Sequence, residues 1–494
     1  MRRTALALGV LLVCGAARAE SLSLREALRR AVGGNRDLLK ARVAVQIAQA
    51  QVTAAQGHFD LISKGGLSYG REVTPALSDQ DAVGGATRTL DWNLGLSRNL
   101  ETGGSLALSL DTSRVATTSR LQSGQVLETD DVATTFYATN LNLTFTHPLW
   151  RGLGAQIATA QLRRQRVAES ESLLNRQMQA ANAVRDVVTA YWELAYATQM
   201  VGIARSAVNL AEEQLRATQA LIEVGRLATV DAAAVERAIG QRQQGLALAE
   251  QDLYLRGLEL RRLLGQPVEP GTPSLEAGDA PEASGSTLDV AAEIQLALDN
   301  NPQLRALRMG TKLSQIDVQM AQDTLHPRLD FVGQVGSAGR RVGLAESFSQ
   351  LGQTENLGWV AGLTFEVPLE NRTARGQMQA ARLAQVATQL DAETLSLQLR
   401  ELVLRLATSA RTAATRVQLA QREVGFAQIN LDAERARFSV GRATNNDVLL
   451  RQQELKDAET RVVRAQVDLL SADAALAAAT AEILGRYDME LTGL

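Results

Sequence analysis

Trp359-Val360-Ala361-Gly362-Leu363-Thr364-Phe365-Glu366-Val367-Pro368-Leu369 alternates through its first nine residues. Trp359, Ala361, Leu363, Phe365 and Val367 share one face and Val360, Gly362, Thr364 and Glu366 the other, which is the period of a strand. After Leu369 the pattern turns helical and runs without a proline from about Thr373 to Phe438. At ~1.5 Å per residue such a helix is on the order of 100 Å long. It cannot fold around a small core and must lie beside other long helices.

The same transition occurs earlier in the chain. Leu143-Thr144-Phe145 followed by Pro148-Leu149 matches Leu363-Thr364-Phe365 followed by Pro368-Leu369, and a long helical stretch again follows, from about Gln156 to Glu223. Two further echoes keep the same order. Asn35-Arg36-Asp37-Leu38 answers Asn301-Pro302-Gln303-Leu304, and Val224-Gly225-Arg226 with Asp231 answers Val440-Gly441-Arg442 with Asp447. The chain reads as one unit repeated, residues 20–265 and 288–494. Residues 266–287, with Pro267, Pro270, Pro273 and Pro281, read as an exposed linker that buries no core.

Each copy opens with a helix capped by Asn35 or by Asn301 with Pro302, ending near His58 or Leu325. Strands follow: Tyr137 to Phe145 alternates clearly, Leu329 to Val335 more weakly. In the first copy only, Trp92 to Leu100 and Leu106 to Leu110 alternate around Glu101-Thr102-Gly103-Gly104, a hairpin signal whose glycines suit positive φ. Returning helices are expected from Thr229 to Leu264 and Asn445 to Leu484. The alanines of the first long helix, Ala180, Ala181, Ala183, Ala190, Ala195 and Ala197, let neighbours approach closely.

Arg2 and Arg3, the apolar run from Ala5 to Val13 and Ala17-Arg18-Ala19 form the pattern of a secretory signal, residues 1–19. The only cysteine, Cys14, lies within it. Removing Arg2, Arg3 and Arg18 from 51 basic residues leaves 48 against 54 acidic ones, no electrostatic footprint for nucleic acid. No later stretch approaches the roughly 18 apolar residues of a membrane helix, so a membrane would have to be crossed by strands. Strands of about 10 residues with one apolar face suit an outer-membrane barrel, with Trp92, Trp359, Phe145 and Phe365 on the lipid side or at its interface. Four to six strands fall short of the roughly eight of the smallest barrels, and an open edge cannot stand in lipid, so several chains must share one barrel.

The Asn301-Pro302-Gln303-Leu304 opening, the strand end Leu-Thr-Phe-x-x-Pro-Leu with Arg151-Gly152-Leu153-Gly154 after its first occurrence, and the two Val-Gly-Arg tips resemble the TolC-like outer-membrane efflux protein family over nearly the whole mature chain. The resemblance implies a mostly α fold: a tandem-duplicated long-helix α-barrel in the periplasm with a shared transmembrane β-barrel. It implies a homotrimer whose barrel holds about 12 strands, about four per chain. Its partners would be outer-membrane lipid, a periplasmic adaptor (membrane fusion protein) and an inner-membrane RND or ABC pump, and its work that of a passive export conduit. The Trp92 to Leu110 hairpin exceeds that pattern: either the barrel is larger or the hairpin lies outside it.

By the same resemblance Asp447, six residues after Gly441, occupies the place of an aspartate ring that narrows the periplasmic entrance, with Asp231 its counterpart; the second acidic place in that tip holds Leu450. Carboxylate rings hold cations and repel anions. The bland alternative is an acid in the first turn of a returning helix, where the dipole favours it. Gly225 and Gly441 suit the positive φ that ends a helix. Arg226 and Arg442 suit adaptor contact or ion pairs, or merely a helix C-terminus. His58, His147 and His326 are isolated, and no catalytic triad or metal-ligand spacing is visible, so neither enzyme chemistry, metal nor cofactor is expected. A periplasmic coiled-coil adaptor or scaffold is the alternative; it would need the helical hairpins but not the strands.

Overall fold

In a computed structural model the described residues are 20–74, 83–121, 130–282 and 289–489. The expected signal, residues 1–19, lies outside them. In chain order the elements are β1 (Glu20–Leu22), α1 (Leu24–Gly34), α2 (Arg36–Gln56), β2 (Ile62–Thr74), β3 (Val83–Asn99), β4 (Ser105–Leu121), β5 (Asp130–Pro148), α3 (Ala155–Ala158), α4 (Ala160–Glu223) and α5 (Val230–Leu263). Then come β6 (Leu275–Ala277), α6 (Val290–Asn300), α7 (Pro302–Asp323), β7 (Arg328–Arg341), α8 (Leu344–Ser349), β8 (Leu357–Glu366), α9 (Arg372–Ser439), α10 (Asn445–Ala479) and α11 (Ile483–Arg486). The chain divides into two compact units, each drawing on both halves of the sequence.

One unit comprises Met1–Val45, Ser172–Ala306 and Ala392–Leu494 and holds long helical segments. Its core is built where small residues let helices close up: Ala180, Ala181, Ala195 and Ala197 of α4 are all buried, beside Val187, Val188, Leu194, Leu260 and Ile483. Tyr191, fully buried, sets its hydroxyl 2.7 Å from Asp279 Oδ2 and 3.0 Å from the Leu22 carbonyl, and accepts the Asp279 N–H at 3.1 Å. Burial pushes that phenol above its ordinary range. Arg464 of α10 ties that helix to α4 and, through Asp468, to α9. It grips Glu193 with two nitrogens at 2.8 and 3.1 Å and donates to Asp468, which also accepts from Arg416.

The expectation of a purely exposed linker is corrected here. Residues 275–277 pair in parallel with Glu20–Leu22, and Leu275 is completely buried. A three-residue strand saturates its backbone on a neighbour, which a composition-based reading cannot foresee.

The two opening helices use one device. Asn35 Oδ1 accepts the N–H groups of Asp37 and Leu38 while its Nδ2 donates to the Leu263 carbonyl. Asn301 does the same with Gln303, Leu304 and the Ala479 carbonyl. Each asparagine therefore caps one helix at its start and satisfies an orphan carbonyl at the end of another.

The expected helix to Leu484 stops at Ala479, because Ala481 takes φ 64° and the Glu482 N–H turns back to the Ala477 carbonyl. The expected helix from Gln156 breaks at Thr159, which closes α3.

The other unit, Gln46–Glu171 and Leu307–Asp391, carries one antiparallel sheet ordered β2-β3-β4-β5-β7-β8. The hairpin read at Trp92 to Leu110 is part of this sheet, and its strands run to 17 residues each. Among the described residues six strands, not the four that the resemblance implies, make up this sheet. Gly103 turns the hairpin at φ 97°; Gly104 is not among the positive-φ residues.

The register sorts the side chains. Leu96, Leu108, Leu143, Val335 and Trp359 form one cross-strand row, and Leu94, Leu110, Leu141 and Leu357 belong to the next. Trp92, Phe145 and Phe365 share their face. The opposite face holds Asn93, Asp111 and Asn140 in one row and Ser109 with Asn142 in another. Between His147 and Tyr137, a strand tilted about 40° rises about 26 Å, close to the ~25 Å apolar band of outer-membrane barrels.

At the Trp92-Thr112-Thr139-Gly339 row, α8 packs on the apolar face. Ser347 and Thr139 hydroxyls meet at 2.9 Å, and the Trp92 and Phe348 rings stack at 5.9 Å. Gly339 is required there, since a Cβ would fall 2.0 Å from the Ser347 carbonyl oxygen.

Candidate functional site

The two Val-Gly-Arg tips lie in the helical unit, at the α4–α5 and α9–α10 turns. Gly225 at φ 75° and Gly441 at φ 76° end their helices in the left-handed conformation. The Arg226 N–H returns to the Leu221 carbonyl, and the Arg442 N–H to that of Arg437. Both arginine side chains are exposed, and neither forms an ion pair among the described residues.

Beyond the arginines the tips diverge. In the second, Thr444 and Asp447 form a capping box. Asp447 Oδ2 accepts the Thr444 N–H at 2.9 Å and its hydroxyl at 2.7 Å, and the Asp447 N–H donates back to Thr444 Oγ1 at 3.3 Å. Those two bonds, the hydroxyl's first, hold the Asp447 carboxyl below its ordinary range. In the first tip Ala228 stands where Thr444 does. Asp231 accepts only the Ala228 N–H, at 3.1 Å, and Thr229 makes no side-chain cap. Both aspartates thus do the work of helix-start acids, and both keep partial exposure.

The structure also brings together residues the sequence did not flag. Asn445, buried at the start of α10, accepts from Gln214 Nε2 and Thr218 Oγ1 of α4, each at 2.8 Å. Arg242 of α5 donates to the Ala207 carbonyl and, at 2.7 Å, to Gln452 of α10; burial lowers its pKa. Phe438, Leu431, Val448 and Leu455 pack beneath the tip with Leu221 and Leu227 against them. A groove of about 530 Å³ opens there, lined by Ala217, Leu221, Val224, Arg435 and Phe438. The Thr444-x-x-Asp447 pattern was a readable capping box. Asn445 carried no local signal, because its partners are more than 200 residues away. Among the described residues no cluster of His, Cys, Asp and Glu could hold a metal ion, and no helix is long and apolar enough to cross a membrane.

Residues 294–482 match the family described as outer membrane efflux protein. The alkaline protease secretion protein AprF of Pseudomonas aeruginosa is 26% identical over 62% of this chain and 62% of its own length, under two thirds of that relative. The outer membrane efflux protein BepC of Brucella suis is 22% identical over 66% of this chain and 68% of its own. Among solved structures, the outer-membrane channel OprN superposes with a TM-score of 0.66 over 93% of this chain and 90% of that one, at 17% identity. At that identity the likeness is one of fold.

Proposed function

Because the chain belongs to the TolC-like outer membrane efflux protein family, found in the outer membrane and reaching into the periplasm, we propose that it is the exit duct of a tripartite exporter. Three copies share a β-barrel in the outer membrane, and their long helices line a tunnel in the periplasm. A periplasmic adaptor and an inner-membrane pump of the RND or ABC type complete the system. The observation that carries this reading is the sheet whose apolar face crosses five strands in one row, Leu96, Leu108, Leu143, Val335 and Trp359. A soluble adaptor or scaffold has no use for it.

Residues 20–265 and 288–494 act as two copies of one unit joined by 266–287, so three chains present six near-equivalent tips. The matching caps of Asn35 and Asn301 support that. Asp447, with Asp231, narrows the entrance as a carboxylate ring, and Gly225, Arg226, Gly441 and Arg442 meet the adaptor. Small-molecule efflux is the first reading of the cargo. The resemblance to AprF, a protease secretion protein by name, favours polypeptide as the second.

Purified protein in planar bilayers tests the duct. Cation-selective single channels whose current rises in Asp447→Ala would uphold channel and gate together. Channels indifferent to that substitution would remove the gate alone, and absence of channels from an outer-membrane fraction would count against the duct.

A further inference from the structure

Residues 62–74 and 357–366 are the two free edges of the six-stranded sheet. Both present large apolar side chains to the outside: Leu67 and Tyr69 on β2, Trp359, Leu363 and Phe365 on β8, each more than 60% exposed. An edge set in lipid leaves a row of N–H and C=O groups without water, at several kcal/mol each. One chain cannot remove these edges alone, since six strands are fewer than any known closed barrel of this kind.

The directions of the strands say what removes them. Ile62, Asn99, Ser105, Pro148, Arg328 and Glu366 lie at one end of the sheet, because Ile62 pairs next to the β3–β4 turn and Glu366 pairs with Arg328, two residues from the partner of Pro148. β2 leaves that end and β8 returns to it. A β8 laid against the β2 of another copy therefore continues the antiparallel alternation and the apolar-out face. Such a head-to-tail contact closes into a ring.

We infer that three chains close an eighteen-stranded barrel through three β8–β2 seams, with the β3–β4 hairpin inside the wall. The inference rests on the trimeric duct proposed above and departs from the about 12 strands that the family resemblance implies. The hairpin cannot be set aside: β3 pairs along the whole of β2, and β4 pairs along the whole of its own length with β5, so removing the hairpin would divide the sheet. At ~4.8 Å between strands and a tilt of about 40°, eighteen strands enclose about 36 Å between backbone walls, against about 24 Å for twelve. The face turned inward carries Asn93, Asp111, Asn140, Asn142 and Gln334, short polar groups that leave that bore open to water. Bulky polar cargo, such as an unfolded polypeptide with its side chains, fits it without contact on all sides.

Electron microscopy of the full-length protein in lipid nanodiscs counts the strands. Single cysteines at Ser63, Gly65 or Leu67, each combined with one at Ala361, Leu363 or Phe365, locate the seam by disulfides between chains; Cys14 is the only native cysteine. The expected result is a threefold barrel of eighteen strands and a covalent trimer from at least one pair. A threefold channel with any other strand count, or with no interchain disulfide across the panel, would overturn the eighteen-stranded barrel and leave the duct standing. A particle without a barrel would overturn both.

Discussion

Thr444 and Ala228 differ by a hydroxyl and a methyl, and that difference sets the electrostatics of the two tips apart. Asp447 gains two hydrogen bonds from Thr444, where Asp231 has one backbone partner. A carboxylate whose folded pKa is depressed keeps its charge, and the stability its bonds supply, above its unfolded value, and loses both as pH falls through the folded one. Cation selectivity due to Asp447 should therefore hold from pH 7 down through the ordinary carboxylate range of about 4 and fade only below it. Reversal potentials in a salt gradient measure this, and Thr444→Val should move the loss upward into that range. Selectivity already failing near pH 5 in the native protein would assign the charge to another group. Asn445 answers for position rather than charge. Asn445→Ala leaves the Gln214 side-chain amide of α4 without its buried acceptor, while the Thr218 hydroxyl keeps the Gln214 carbonyl; this should cost about 1–3 kcal/mol and lower Tm in a thermal melt, while Asn446→Ala beside it, exposed, should not.

Helix ends and strand ends are where reading by eye and folding part company. β8 was legible because one of its faces, Trp359, Ala361, Leu363 and Phe365, is apolar without interruption. β2 was not: its corresponding face mixes Gly65 and Arg71 with Leu67, Tyr69 and Val73, and only the β3 backbone makes it a strand. The ends of β4 and β5 past Arg114 and Tyr137 carry Ala116-Thr117-Thr118 and Ala133-Thr134-Thr135, where alternation vanishes although the ladder continues. Gly225 and Gly441 announced the tips. Ala481 announced nothing, since alanine rarely sits at φ 64°. Its left-handed conformation strains a Cβ that glycine lacks, so Ala481→Gly should stabilise the protein by about 1 kcal/mol, less the entropy glycine adds to the unfolded chain. Denaturant midpoints at constant slope check it, and a midpoint lowered by the full entropy of glycine would mean that Ala481 carries no strain. Gly339→Val is the opposite case: its Cβ would meet the Ser347 carbonyl, so α8 should leave the sheet, and proteolysis at residues 344–349 should accelerate.

A duct is a set of resistances in series, and its narrowest part governs current. A barrel about 36 Å wide between walls offers little resistance over a band of about 25 Å. In the proposed trimer the tips offer the most, since there the wall is drawn in to a ring of carboxylates. Substitutions at the two places should therefore differ in effect. Asn140→Lys, on the inner face of β5, adds three positive charges to a wide aqueous lumen where the Debye length at 0.15 M salt is about 8 Å, so screening confines them to the wall. Conductance in that variant should stay within roughly a fifth of native, whereas Asp447→Ala should raise it about twofold or more by widening the constriction. Lowering the salt to 0.01 M lengthens the screening distance to about 30 Å. The Asn140→Lys lumen should then begin to exclude cations while its current at high salt stays native. If Asn140→Lys instead cuts conductance severalfold at 0.15 M, the barrel is the narrow element, and a wall of fewer strands becomes the better account of the sheet.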